Sequence, residues 1–146
     1  MAEPVIVLLV EDNDDHAELV MRQMADHRIA NKVVRLVDGQ EALDYLFRKD
    51  KFGNPDISPR PQVILLDLRL PKVDGLEVLK SIKESVDLRS IPVVVLTTSE
   101  GERDIAKAYL NHTNSYVVKP VDYRKFCNLM NDLGFYWMSW NTMKKN

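Results

Sequence analysis

The chain has one cysteine, five glycines and almost no excess of either charge, and each scarcity closes off a class of protein. A single thiol, Cys127, permits no internal disulfide and no cysteine-built metal site. The glycines stand at positions 39, 53, 75, 101 and 134, too far apart for a nucleotide-binding loop of either common type. Twenty basic side chains against 22 acidic ones leave a formal charge of −2, which argues against a non-specific nucleic-acid binder. The longest uninterrupted apolar runs, such as Val5–Val10, fall far short of the roughly 20 residues that cross a bilayer. Met1–Pro4 has no basic segment leading into an apolar one, so it does not read as a secretory signal. His16, His27 and His112 fall on separate segments without ligand spacing and read as surface residues. What is left, 146 residues that are 45% hydrophobic and 29% charged, reads as one soluble domain, expected in the cytoplasm.

Four segments are apolar over strand length: Val5–Val10, Val63–Leu66, Pro92–Leu96 and Tyr116–Val118. Unbroken β-branched runs suit strands covered on both faces, as in a parallel sheet between helices. A fifth, mixed segment, Lys32–Val37, suits a sheet edge. Between them Ala17, Val20, Met21 and Met24 share a helical face, as do Leu43, Leu46 and Phe47, and Leu76, Leu79 and Ile82. Asp38 with Glu41, Asp74 with Glu77, and Ser99 with Glu102 supply helix-start signals, and Asp122 can cap the last helix. The alternation predicts a doubly wound α/β domain with right-handed crossovers. Arg48–Gln62, with Gly53, Pro55, Pro59 and Pro61, reads as a long surface loop.

Open α/β sheets bind ligands beyond the carboxyl ends of their strands. Those ends carry Glu11 and Asp12 after the first strand, Asp67 after the third, Thr97 after the fourth and Lys119-Pro120 after the last. Carboxylates crowded together repel, and a hard divalent cation such as Mg²⁺ holds them ionised. Lys119 adds a positive charge and Thr97 a hydroxyl donor, a set suited to steadying a phosphoryl group beside a carboxylate nucleophile. Bland readings stand beside this one. Glu11 and Asp12 in an acidic turn also read as helix-capping carboxylates, Ser99 as a helix cap, and Tyr116 as a packed strand residue. Asp67 following an apolar run is costly without a partner, which favours a function.

These residues resemble the receiver domain of two-component response regulators: Glu11-Asp12, Asp67, Pro71-x-x-Asp74-Gly75, Thr97, Tyr116 and Lys119-Pro120, in that order, over about residues 4–134. The resemblance implies a (βα)5 flavodoxin-like fold, a five-stranded parallel sheet in the order 2-1-3-4-5. The whole chain, 1–146, is then one receiver domain with a core near 4–134 and an aromatic extension, 135–146. It implies Asp67 as phosphoacceptor for a sensor histidine kinase. Mg²⁺ or Mn²⁺ would be held by Glu11, Asp12, Asp67 and the backbone carbonyl of Arg69. It further implies Leu68 as an amide donor to the phosphoryl group, Thr97 and Tyr116 as switch residues, Lys119 as the phosphoryl cation, and a cis bond before Pro120.

A narrower likeness, carried by Arg48–Gln62, the stretch from Asp67 to Gly75, Thr97-Thr98-Ser99, Tyr109 and Asn114-Ser-Tyr116, is to the small stand-alone regulators paired with bacterial phytochromes. It implies a phytochrome kinase as partner and no DNA-binding output domain. The position after Thr97 is commonly Ala or Gly in the family, and here it is Thr98; with Arg69 and Ser99 it is expected to tune loss of the phosphoryl group. Phe126, Phe135, Tyr136, Trp137 and Trp140 extend an aromatic stripe past the expected domain end, and point to a homodimer through the last helix and its extension. The function expected is thus a Mg²⁺-dependent signalling switch rather than a metabolic enzyme. A phosphorylation-independent adaptor on the same fold is the alternative. An aspartyl-phosphate phosphatase is disfavoured, because Arg69 stands where that class carries a second acid.

Overall fold

A computed structural model describes residues 5–26, 32–97, 115–118, 124, 125 and 128. In chain order these form β1 (Ile6–Val10), α1 (Asp14–Asp26), β2 (Lys32–Leu36), α2 (Gly39–Leu46), a short 3-10 turn (Asp50–Phe52), β3 (Val63–Asp67), α3 (Gly75–Glu84), β4 (Val93–Thr97) and β5 (Ser115–Val118). All strand pairings are parallel, and the order is β2-β1-β3-β4-β5, as the sequence pattern and resemblance imply.

Strand alternation divides the apolar runs into two cores. Leu8, Val10, Ile64, Leu66, Val93 and Val95 face one way and pack against Ala42, Tyr45 and Leu46 of α2 and Val78, Leu79 and Ile82 of α3. Val7, Leu9, Val63, Leu65, Val94 and Leu96 face the other way, onto Ala17, Val20 and Met24 of α1. The mixed segment forms β2 at the sheet edge. Helix starts also agree with the sequence: Asp38 accepts the Glu41 N–H at 2.7 Å, and Asp74 accepts the Leu76 N–H at 3.4 Å.

One expectation fails for an identifiable reason, and another gains detail. Phe47 lies past the last turn of α2 and is 39% exposed, because Tyr45 takes the inward position instead. The Arg48–Gln62 connection is a surface loop, exposed at 49–51 and 53–57, but it is anchored through the buried Phe52, Ser58 and Pro61. Phe52 is buried edge-on against Tyr45, with ring centroids 5.2 Å apart. The Tyr45 hydroxyl donates to the Pro59 carbonyl at 2.7 Å, Ser58 Oγ to the Phe52 carbonyl at 2.9 Å, and the Arg60 guanidinium to the Leu46 carbonyl at the end of α2. Side-chain donors thus satisfy the backbone of a segment without a ladder of its own.

The loop after β3 is fitted with little clearance. Val73 N–H donates to the Pro71 carbonyl at 2.8 Å around Lys72, whose φ is 68°, a tight three-residue turn. Lys72 Nζ reaches Asp38 Oδ2 at 3.5 Å, and the Gly39 N–H donates to the Pro71 carbonyl at 3.3 Å. Gly75 donates its N–H to the Leu68 carbonyl at 3.1 Å, and a methyl group there would lie 2.2 Å from the Asp67 carbonyl oxygen. Backbone blocks that methyl, so the helix or the strand end must shift. Gly75→Ala is therefore expected to cost about 1–3 kcal/mol, read as a lower denaturant midpoint at constant slope.

Half-burial of Lys83 near the end of α3 lowers its ammonium from the ordinary 10.5 to about 8. Between these values the unfolded chain binds the proton more tightly than the folded one. Stability of the native protein relative to Lys83→Met should therefore be flat below about pH 7 and rise from about pH 8 to 10.5, as denaturant titrations across that range would show.

Candidate functional site

Register brings the ends of β1 and β3 to one level. Val10 pairs with Leu66, so Glu11 and Asp67 follow side by side. From β1 the chain passes to β2 on one flank, while β3 occupies the other; this is the point where the winding reverses. One carboxylate oxygen each from Glu11, Asp12 and Asp67 lies within 4.8 Å of the other two. Glu11 is fully buried, Asp67 is buried at 6% exposure, and Asp12 faces solvent.

Buried carboxylates are expensive unless hydrogen-bonded or paired. Asp67 Oδ1 accepts the Arg69 N–H at 2.9 Å. Glu11 Oε2 accepts the Asn13 N–H at 3.4 Å, and His16 Nδ1 lies 3.7 Å from Glu11 Oε1. His16 is exposed, as expected of a surface residue, and its half-exposed ring also faces the acidic cluster from the first turn of α1. The Glu11 N–H donates to the Leu36 carbonyl at 3.0 Å, which continues the β1–β2 ladder one residue past the strand and fixes where the loop departs.

Three hard oxygen donors suit a hard cation. Mg²⁺ takes oxygens at about 2.0–2.1 Å, which puts opposite ligands about 4.2 Å apart. Oxygens already within 4.8 Å of one another need only small rotations to close on such an ion, and the exposed Asp12 has room to turn. The residues present fit the cation that the sequence implies.

The remaining expected positions divide into three groups. Leu68 does not turn its amide to the pocket. Its N–H donates to the Leu96 carbonyl at 3.3 Å, prolonging the β3–β4 ladder, and the amide that meets Asp67 belongs to the next residue, Arg69. Arg69 itself is exposed. Thr97 closes β4, one step beyond Leu96, the register partner of Asp67; Tyr116 stands in β5 level with Val95. Thr98, Ser99, Lys119, Pro120, Phe126, Phe135, Tyr136, Trp137 and Trp140 lie outside the described residues.

Sequence reasoning passes over Arg35. Its Nε and Nη2 donate to the Glu11 carbonyl at 3.0 and 2.8 Å, and its Nη1 to Asp14 Oδ1 at 2.8 Å. A charged residue in a mixed edge strand reads as solvent-facing, and only the placement of β2 beside β1 brings it to this turn.

Among known proteins, the model of the response regulator receiver domain matches residues 7–131. The chain is 48% identical over 139 residues to the probable methanogenesis regulatory protein FilR2 of Methanothrix harundinacea, covering 95% of this chain and 87% of that one. It is 39% identical over 140 residues to response regulator Rcp1 of Synechocystis sp., covering 96% and 93%. The Mn²⁺-bound form of Rcp1 superposes with a TM-score of 0.72 at 38% identity, over 90% of this chain and 91% of that one. The bacteriophytochrome response regulator AtBRR superposes with a TM-score of 0.81 at 46% identity, over 93% and 96%. Among the described residues, no helix is long and apolar enough to cross a membrane.

Cation binding should appear as stability. With Mg²⁺ at ten times its dissociation constant, the native protein is expected to gain about 1.4 kcal/mol. Asp12→Asn removes one of three repelling charges, so its melting midpoint should exceed that of the native protein without cation and stay fixed as Mg²⁺ is added. Calorimetric scans of both proteins with and without Mg²⁺ check the crossover.

Proposed function

The chain belongs to the response regulator receiver family, and from that premise we propose that it is a stand-alone switch whose Asp67 takes a phosphoryl group from a sensor histidine kinase. The observation that carries this reading is the convergence of Asp67 with Glu11 and Asp12 at the reversal of the sheet. In it, an Asp67 oxygen attacks the phosphorus of a phosphohistidine; the N–P bond breaks as the O–P bond forms, and the imidazole leaves. Glu11, Asp12 and Asp67 are the side chains that would hold a divalent cation, with the Arg69 carbonyl as a further oxygen donor. When bound, the cation offsets charge on the phosphoryl oxygens. The Arg69 N–H holds one oxygen of Asp67 and so orients the nucleophile. Thr97 and Lys119, after β4 and β5, are assigned to the phosphoryl group, and Tyr116 to the inward swing that remodels the surface beside β5. Arg69, Thr98 and Ser99 are assigned to tuning its hydrolysis. The aspartyl phosphate is the stored signal rather than a step in the turnover of a metabolite.

Two relatives support the choice of kinase. AtBRR is a bacteriophytochrome response regulator and RcpA a cyanobacterial phytochrome response regulator by name, and both cover nearly the whole chain. FilR2, a methanogenesis regulator by name, matches over a similar length, so the receiver itself does not dictate the sensor upstream. We assign a phytochrome kinase on the bacteriophytochrome likeness, and pairing of two copies through the aromatic positions 126–140 on their helical spacing.

Intact-protein mass spectrometry after incubation with acetyl phosphate and Mg²⁺ separates the readings. A switch gives one phosphoryl adduct, absent in Asp67→Asn. Release of phosphate with no adduct would mark a phosphatase, and neither product would mark a phosphorylation-independent adaptor.

A further inference from the structure

The edge strand β2 contributes a side chain that does not belong to its own surface. Arg35 pairs through its backbone with Leu9, and its guanidinium reaches across the end of β1. Two of its nitrogens converge on a single acceptor, the carbonyl oxygen of Glu11, at 3.0 and 2.8 Å, and the third binds Asp14 Oδ1 at 2.8 Å. The side chain is 21% exposed, whereas that of Asp14 is 87% exposed. A solvated surface ion pair contributes little. The two bonds to the backbone are different in kind: they fix the plane of the Glu11–Asp12 peptide, the unit that carries both acids of the β1–α1 turn.

We propose that Arg35 is the positioning residue for divalent-cation binding, holding the Glu11–Asp12 peptide so that both carboxylates meet Asp67 before a cation arrives. The fork spans the turn from Glu11, at the strand end, to Asp14, the first residue of α1, so the turn is anchored at both ends while Asp12 between them stays exposed. Without the fork, the peptide is free to rotate, and the cation must order the turn at its own expense in affinity. Lysine cannot replace it, because one ammonium cannot present the planar set of donors that reaches the carbonyl twice and Asp14 once. The inference rests on the reading of Glu11, Asp12 and Asp67 as cation ligands.

The test titrates Mg²⁺ alone, by calorimetry, into the full-length native protein, Arg35→Lys, Arg35→Gln and Asp14→Asn, each well below its melting midpoint. Arg35→Lys and Arg35→Gln should weaken Mg²⁺ by about tenfold, the scale for losing a group that orients a ligand. Asp14→Asn, which leaves the carbonyl bonds in place, should weaken it less. The Mg²⁺ concentration giving half-maximal phosphorylation by acetyl phosphate should rise in step. A lower melting midpoint with unchanged Mg²⁺ affinity in Arg35→Lys would reduce Arg35 to a structural brace and overturn the proposal. So would Asp14→Asn weakening the cation as much as Arg35→Lys, since the tether to α1 would then carry the effect. Should Arg35→Gln not fold, Arg35→Lys decides alone. Failure of the native protein to bind Mg²⁺, or binding unaffected by Asp12→Asn, would instead defeat the underlying cation reading.

Discussion

Like charge in a poorly solvated place is the constraint around which this end of the molecule is built. Glu11 and Asp67 are both buried, and Asp12 adds a third carboxylate within reach of both. An arrangement of that sort raises the free energy of the fold whenever it stands without a counter-charge. Backbone N–H groups from Asn13 and Arg69 offset part of the cost and also aim the oxygens. Three oxygen donors gathered in this way suit a hard divalent ion. Such an ion would also offset the negative charge that a phosphoryl group adds, as a phosphorylation switch needs.

The sheet supplies the precision. Parallel pairing in register sets Glu11 and Asp67 at one level, and the two faces of the same strands are fully committed to separate cores. A slip of one residue would turn either strand inside out, so the carboxylates are held by hydrophobic burial many bonds away. Close backbone approach adds to this. Gly75 sits against the carbonyl of Asp67, so the start of α3 and the end of β3 pack backbone to backbone.

Much of this was legible in the chain because its signals were of one kind. Unbroken Val, Ile and Leu runs identify central parallel strands, and the strand-end residues Glu11, Asp12 and Asp67 follow directly from them. Asp38 and Asp74 announce their helices by capping chemistry that operates over two or three residues. Contacts between distant segments were not legible. The 48–62 loop is exposed as its prolines imply, but its anchors, the Tyr45 hydroxyl on the Pro59 carbonyl and the Ser58 hydroxyl on the Phe52 carbonyl, leave no mark in composition. The Leu68 amide, expected to serve a phosphoryl oxygen, is claimed instead by the β3–β4 ladder, which runs one bond further than the apolar run. His16 and Arg35 gain meaning only once the β1–α1 turn is folded against β2.

The turn at Lys72 has a consequence of its own. A side-chain-bearing residue held in left-handed backbone geometry keeps about 1–3 kcal/mol of conformational cost in the segment that follows Asp67. Its ammonium and the neighbouring Pro71 carbonyl moor that segment to Asp38 and Gly39 at the head of α2. Release of the mooring would let the turn relax, so the gap between this segment and α2 is a seam that opens at a discount. The cost held at Lys72 thus ties the segment after Asp67 to the head of α2 rather than to its own strand.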